Sequence, residues 1–194
     1  MRKNLFKAIA AAAIFSGALA AGSAHAAIIQ FDLRGTAGNG LLPGNEPGSI
    51  LGGTGGEIGA GIFYDDVANL LTLNVGWGSS QGFMDVTSVV TASHIHGPTP
   101  ANNGAGFTQI AGVAFGLTRS SNAMTGGIIT NGPFLLSAVQ ETDLLNGKFY
   151  INIHTANNGG GELRGFMVAV PEPASLALVG LGLAGVVFSR RKRA

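Results

Sequence analysis

Between residues 27 and 169 the chain has no long apolar stripe of helical period. Instead, short β-rich runs recur, separated by Gly, Asn and Pro. The pattern predicts strands near Ile28–Leu33, Gly59–Tyr64, Leu70–Trp77, Val86–His96, Ile110–Leu117, Gly126–Thr130, Phe134–Ser137, Lys148–His154 and Glu162–Val168. Short strands punctuated by turn residues indicate an all-β domain, a β-sandwich or a Greek-key barrel. Asp65–Asn69 reads as a hairpin connection, and Gln140–Asn146, stopped by Gly147, as a helical turn or two. The Gly/Pro-rich stretch Gly35–Gly56 reads as a long loop or a poorly ordered arm.

The alternation is clearest late in the chain. Phe149, Ile151 and Ile153 share one strand face, and Tyr150, Asn152 and His154 share the other. After the turn Thr155–Gly161, a hairpin partner carries Glu162 and Arg164, so the pairing is expected to bring His154 near Glu162 with Arg164 alongside. Earlier, His94-Ile95-His96 has the same period of two: both imidazoles leave one face and Ile95 the other, before Gly97-Pro98 ends the strand.

Both ends of the chain break the β pattern with continuous apolar runs. Residues 1–26 have a basic start (Arg2, Lys3, Lys7), an apolar stretch from Ala8 to Ala21, and Ala24-His25-Ala26. That is the layout of a secretory signal peptide, with cleavage by signal peptidase expected after Ala26. At the other end, Pro171-Glu172-Pro173 stops any strand, Ala174–Phe188 carries no charge, and Arg190-Arg191-Lys192-Arg193 closes the chain. As a helix those fifteen apolar residues span about 22 Å, short of the ~30 Å hydrocarbon core. The basic cluster would stay cytoplasmic and leave the domain outside. Such a short transmembrane helix suits a temporary tether; the other reading is a permanent single-span anchor.

Charge is partitioned in the same way. Seven of the 11 basic residues lie in the two terminal basic clusters; between those clusters stand Arg34, Arg119, Lys148 and Arg164 and all 10 acidic residues, from Asp32 to Glu172. An acidic body offers no phosphate-neutralising surface, which excludes nucleic acid as a partner. The absence of cysteine excludes disulfides, thiolate catalysis and Cys metal sites.

Val170–Ala194 resembles the PEP-CTERM sorting signal, with its Pro-Glu-Pro, apolar helix and terminal Arg cluster in order. The resemblance implies processing near Pro171, Glu172 and Pro173 by an exosortase-type membrane protease. It also implies transient inner-membrane anchoring, then the cell surface or exopolysaccharide matrix as destination. Ser93-His94-Ile95-His96-Gly97-Pro98, Tyr150–Asn157 and Gly160-Gly161-Glu162-Leu163-Arg164-Gly165 resemble the CHRD domain over roughly Ile28–Val168. One departure is Asn158-Gly159, where the family usually has Pro after Asn. The resemblance implies an immunoglobulin-like barrel with a distant similarity to Cu/Zn superoxide dismutases, and no defined biochemical activity. The domain plan is thus a signal peptide (1–26), a CHRD-type β domain (27–169) and a sorting tail (170–194).

Two functional readings follow. In the first, the domain is a non-catalytic binding or structural module whose partner is exopolysaccharide or another surface protein. Its polar patch, including Asn152 and Arg164, caps strand ends, with Arg164 paired to Glu162. In the second, His94, His96 and His154 hold Zn or Cu, with Glu162 as fourth ligand or as an outer acceptor, in a metal-binding or dismutase-type redox protein. A dismutase's bridging His and Asp are missing. Two further motifs fail on context. Gly78-Ser79-Ser80-Gln81-Gly82 fits a nucleophile elbow but precedes no credible helix. Gly180–Gly185 fits a dinucleotide fingerprint but lies within the tail's apolar run. Trp77 and Phe83 read as core residues before sugar-stacking ones.

Overall fold

The computed structural model describes residues 28–48, 50–100 and 107–171; the signal peptide and all of the sorting tail after Pro171 lie outside them. Among these described residues nine strands form: β1 (Ile28–Gly35), β2 (Gly38–Asn39), β3 (Gly55–Asp65), β4 (Leu70–Trp77), β5 (Val90–His96), β6 (Val113–Gly116), β7 (Gly127–Leu135), β8 (Tyr150–Thr155) and β9 (Leu163–Ala169). One helix, α1 (Ala138–Leu145), joins β7 to β8. Among the described residues no helix is long and apolar enough to cross a membrane.

The strands make one antiparallel sheet in the order β6-β5-β8-β9-β1-β3-β4-β7, with β2 folded back on β1. The all-β expectation holds, and between sandwich and barrel the chain adopts a single sheet curled into a half-barrel. Bulges help it curl. The β3–β4 register shifts between Glu57 and Ile62, where Gly59 and Gly61 take φ values of 56° and 71° that a side chain would resist. The two edges then approach each other. Phe115 on β6 and Phe134 on β7 lie 5.0 Å apart, and beyond β6 the Ser120 amide donates to the Ile128 carbonyl at 2.9 Å. The apolar residues enclosed in this way (Leu33, Leu73, Trp77, Ile95, Ile151 and their neighbours) are the core.

Trp77 shows how tightly that core closes. It is fully buried, its indole N–H donates to the Ala123 carbonyl at 3.2 Å, and its ring lies where a Cβ on Gly127 would stand. A sugar cannot stack on it, so the core reading of Trp77 holds. The elbow-like motif is likewise no elbow: Ser79–Gln81 form a 3-10 turn that no helix follows.

The expectations err mainly at boundaries, and each error has a local cause. The two strands expected over 126–137 are one, β7, running through Gly132-Pro133. β7 is an edge strand, where a proline's missing donor is tolerated, and the register shifts opposite it. The helix starts two residues early because Ser137 and Gln140 form a reciprocal capping box. The largest correction is Gly35–Gly56, which is neither an open loop nor an arm. It holds β2 and a 3-10 turn (Pro43–Asn45), and Leu41 and Leu42 bridge to Gly55 and Arg164. The buried Asn45 amide donates to the Arg164 carbonyl at 3.0 Å and accepts from the Ala37 amide at 2.8 Å. This strap lays Glu46 against β9.

Candidate metal centre

The histidines meet because β5 pairs with β8. The register sets His94 opposite Asn152, His96 opposite Tyr150 and Ala92 opposite His154, so all three imidazoles leave the same face while Ile95 and Ile153 turn into the core. The ring centroids form a nearly equilateral triangle: 5.0 Å from His94 to His154, and 5.5 Å for each of the other two pairs. One ring nitrogen from each lies within 4.8 Å of the other two, which makes the trio a candidate metal-holding group.

The hydrogen bonds around the trio decide where the protons are. His96 Nδ1 faces the Ala111 carbonyl at 2.9 Å and His154 Nδ1 faces the Gly159 carbonyl at 3.0 Å. A carbonyl only accepts, so both Nδ1 atoms carry hydrogen and, in the neutral rings, both Nε2 atoms carry lone pairs. Those two lone-pair nitrogens stand 3.4 Å apart with no proton to share. His94 Nδ1 lies 3.1 Å from His154 Nε2 and can satisfy only one of them. A cation among the three relieves this. Zinc–imidazole bonds of about 2.0–2.1 Å at tetrahedral angles separate ligand nitrogens by about 3.3 Å, close to the spacings found. Carbonyl-anchored Nδ1–H groups are also how metal-ligating imidazoles are usually oriented. Burial, with the nearby positive groups, holds His94 and His154 below the usual histidine range; for His154 this outweighs the opposing pull of the Gly159 carbonyl. Both are therefore neutral, ligand-ready imidazoles at pH 7. Three imidazoles suit Zn or Cu, so the donor set fits the metals anticipated from the sequence.

Glu162 does not join them. The β8–β9 hairpin forms with Asn152 opposite Arg164. After Gly161, however, the Glu162 carboxylate turns to the side of Thr155 and is fully buried there. Its oxygens accept from the Gly53 and Thr87 amides (3.1 and 2.8 Å), the Thr87 and Thr155 hydroxyls (2.6 and 2.7 Å) and the Asn158 amide (3.1 Å). With its lone pairs committed, it is a structural clasp across three segments rather than a ligand. Burial pushes its carboxyl up, but the hydrogen bonds from Thr87, Thr155 and Gly53 outweigh that and leave it below the usual carboxylate range.

Arg164 is not paired to Glu162 either; its carboxylate neighbour is Glu46, at 3.8 Å. The guanidinium also lies 3.8 Å over the Tyr150 ring, which stacks in turn on His96 at 5.1 Å. Asn152 donates to the Gly160 carbonyl at 3.3 Å. Burial raises the Glu46 carboxyl to about 7, although Arg164 and Asn152 pull it down. A raised folded-state value means that ionising Glu46 costs stability. The folded state is fully favoured below the unfolded value near 4.5 and loses that contribution as pH rises through about 7. Glu46→Gln should therefore match wild type at pH 4 and exceed it at pH 8 by on the order of 2 kcal/mol, as urea titrations at the two pH values would report. A gap that shrinks with pH would reverse the sign.

His94, His96 and His154 were legible as H-x-H spacing and strand alternation; Glu46 was not, because its loop shows no periodicity. The Ala111 and Gly159 carbonyls, being backbone, leave no trace in the sequence.

A family model described as the CHRD domain matches residues 43–167, a span that holds all of these side chains. A model described as the PEP-CTERM protein-sorting motif matches residues 169–193. No curated protein and no solved structure matches the chain.

Proposed function

We propose, on the premise that this chain belongs to the CHRD domain family and carries a PEP-CTERM protein-sorting motif, that its β domain is a non-catalytic, metal-binding module displayed at the cell surface. The protein is exported and sorted to the surface via exosortase, the protease its sorting motif implies. In this reading signal peptidase removes residues 1–26, and the run Ala174–Phe188 tethers the chain in the inner membrane until processing. The domain then meets exopolysaccharide or another surface protein. Mass spectrometry of the surface-released form should find a C-terminus near Pro171–Ala174; an intact Arg193 on released protein would sink the processing step.

One observation carries the metal reading. Three imidazoles converge from two paired strands, and two of them are turned by backbone carbonyls so that bare Nε2 atoms face each other at 3.4 Å. His94, His96 and His154 would hold the ion, and the ion would supply a positive centre that fixes the β5–β8 corner and can take a ligand from outside. The fold's long connections, β4 to β5 and β6 to β7, join strands far apart in the sheet, which supports the Greek-key connectivity expected from the strand pattern. The reading is tested by melting the metal-stripped protein with and without Zn or Cu. Stabilisation that disappears in the His94→Ala/His96→Ala variant supports it; no stabilisation in the wild type refutes it.

A further inference from the structure

Beside the histidine trio, and sharing His96 with it, lies a cavity of about 510 Å³ walled by Glu46, His96, Tyr150, Asn152, Asn158 and Arg164, among others. Three of these are more than nine-tenths buried, with Arg164 0%, Asn152 3% and Glu46 7% exposed. Each also carries polar atoms without a hydrogen-bond partner among the described residues: Arg164 Nε and Nη1, Asn152 Oδ1 and Glu46 Oε1. Buried polar atoms are nearly always satisfied, and each orphan is costly. Four in one cavity wall define what the cavity lacks.

The rest of the wall is already engaged. Arg164 Nη2 donates to the Gln109 carbonyl and Asn152 Nδ2 to the Gly160 carbonyl. What remains is two cationic donors and two acceptors. An inorganic anion without hydroxyl groups, such as sulfate, would answer the guanidinium and leave Asn152 Oδ1 and Glu46 Oε1 facing acceptor atoms. A neutral sugar would supply hydroxyl donors for those oxygens but no counter-charge. Counter-charge is needed, because Glu46 stands 3.8 Å off, beyond hydrogen-bond reach of the guanidinium. A molecule with both an anionic group and hydroxyl groups answers all four atoms, and a cavity with room well beyond one inorganic ion favours a hydroxylated carboxylate among them. The size agrees: at about 30 Å³ per water, the cavity holds roughly 17 waters' worth of volume, room for one sugar ring and some hydration.

We propose that this cavity is a binding site for a hydroxylated carboxylate of sugar-acid size, held by Arg164, Asn152 and Glu46. The site stands on the cavity and its unpartnered atoms, independently of whether the histidines hold a metal.

The test is calorimetric titration of the chelator-treated protein with glucuronate, glucose and inorganic phosphate. Glucuronate should bind at least tenfold more tightly than either of the others. Arg164 is too deeply packed for its loss to be informative alone, so the diagnostic variant is Ile110→Glu. Ile110 lines the cavity yet is 68% exposed, so this change adds a negative charge with little effect on folding. It should weaken glucuronate at least tenfold while the melting temperature stays within about 2 °C of wild type. Equal affinity for glucose and glucuronate, phosphate binding as tight as glucuronate, or glucuronate binding untouched by Ile110→Glu would each overturn the proposal. So would glucuronate binding abolished by His94→Ala/His96→Ala in chelator, since the histidines and not the cavity would then hold the ligand. Failure of the metal reading alone leaves the glucuronate result unchanged.

Discussion

Glu162→Ala is expected to lower stability by about 4–6 kcal/mol, a large part of the ~5–15 kcal/mol that holds a typical domain folded. The carboxylate takes five hydrogen bonds from the Gly53 and Thr87 amides, the Thr87 and Thr155 hydroxyls and the Asn158 amide, and it is fully buried. Each buried donor left without a partner costs about 1–3 kcal/mol, and hydrogen bonds to a charged acceptor lie at the strong end. The hydroxyls can turn to other acceptors, which keeps the total below the sum of five such costs. The donors lie on the segment before β3, the segment before β5 and the β8–β9 hairpin, so the loss loosens three segments of the chain at once. At about 3 °C per kcal/mol for a domain of this size, the melting temperature should fall by at least 12 °C. Glu162→Gln keeps the shape and one accepting oxygen, and should cost about half as much. Because the folded value of Glu162 lies below the usual range, its contribution is fully present above pH ~4.5 and is lost as pH falls through that lower value. A loss under 1 kcal/mol for Glu162→Ala would show that the clasp is not what closes this end of the half-barrel.

How Glu162 was read from sequence illustrates what a period-two pattern carries. Strand alternation gives the pairing, and Asn152 does stand opposite Arg164. Alternation is reliable only while the strand is regular. Gly161, at φ 131°, interrupts it one residue before Glu162, and the carboxylate emerges toward Thr155 instead of His154. His94 and His96 lie within a strand, and their shared face survived into the structure. Glu46 belongs to a segment whose order comes from contacts distant in sequence, such as the Asn45 amide on the Arg164 carbonyl. No local signal announces such a contact, and a Gly/Pro-rich composition argues against it. The Ser137–Gln140 capping box, which the expected start at Gln140 passed over, marks the true start of α1. The curl of the sheet was not, because the closing contacts between Phe115 and Phe134 join residues whose strands lie at opposite edges.

The second large effect concerns the histidines. His154 is the hub of the trio, since its Nε2 lies 3.1 Å from His94 Nδ1 and 3.4 Å from His96 Nε2. Removing one of three imidazole ligands leaves two, too few for a stable site, so His154→Ala should weaken Zn or Cu binding at least 100-fold. In the wild type, metal at 100 times its dissociation constant should add about 2.7 kcal/mol of stability, or roughly 8 °C in melting temperature. His154→Ala should erase that gain. In the absence of metal the variant should cost little, because the ring's lone-pair contact with His96 is unfavourable in the empty site. Replacing a carbonyl partner has no side-chain equivalent, but inserting a residue between Asn158 and Gly160 would displace the Gly159 carbonyl and should weaken metal binding while leaving all three histidines in place.

The most direct measurement is calorimetric titration of Zn or Cu into the metal-stripped protein, with His94→Ala, His96→Ala and His154→Ala in parallel. Convergence of the three imidazoles as a metal centre predicts one ion per chain in the wild type and loss of that binding in every variant. No stoichiometric binding, or binding that persists in all three variants, would contradict it.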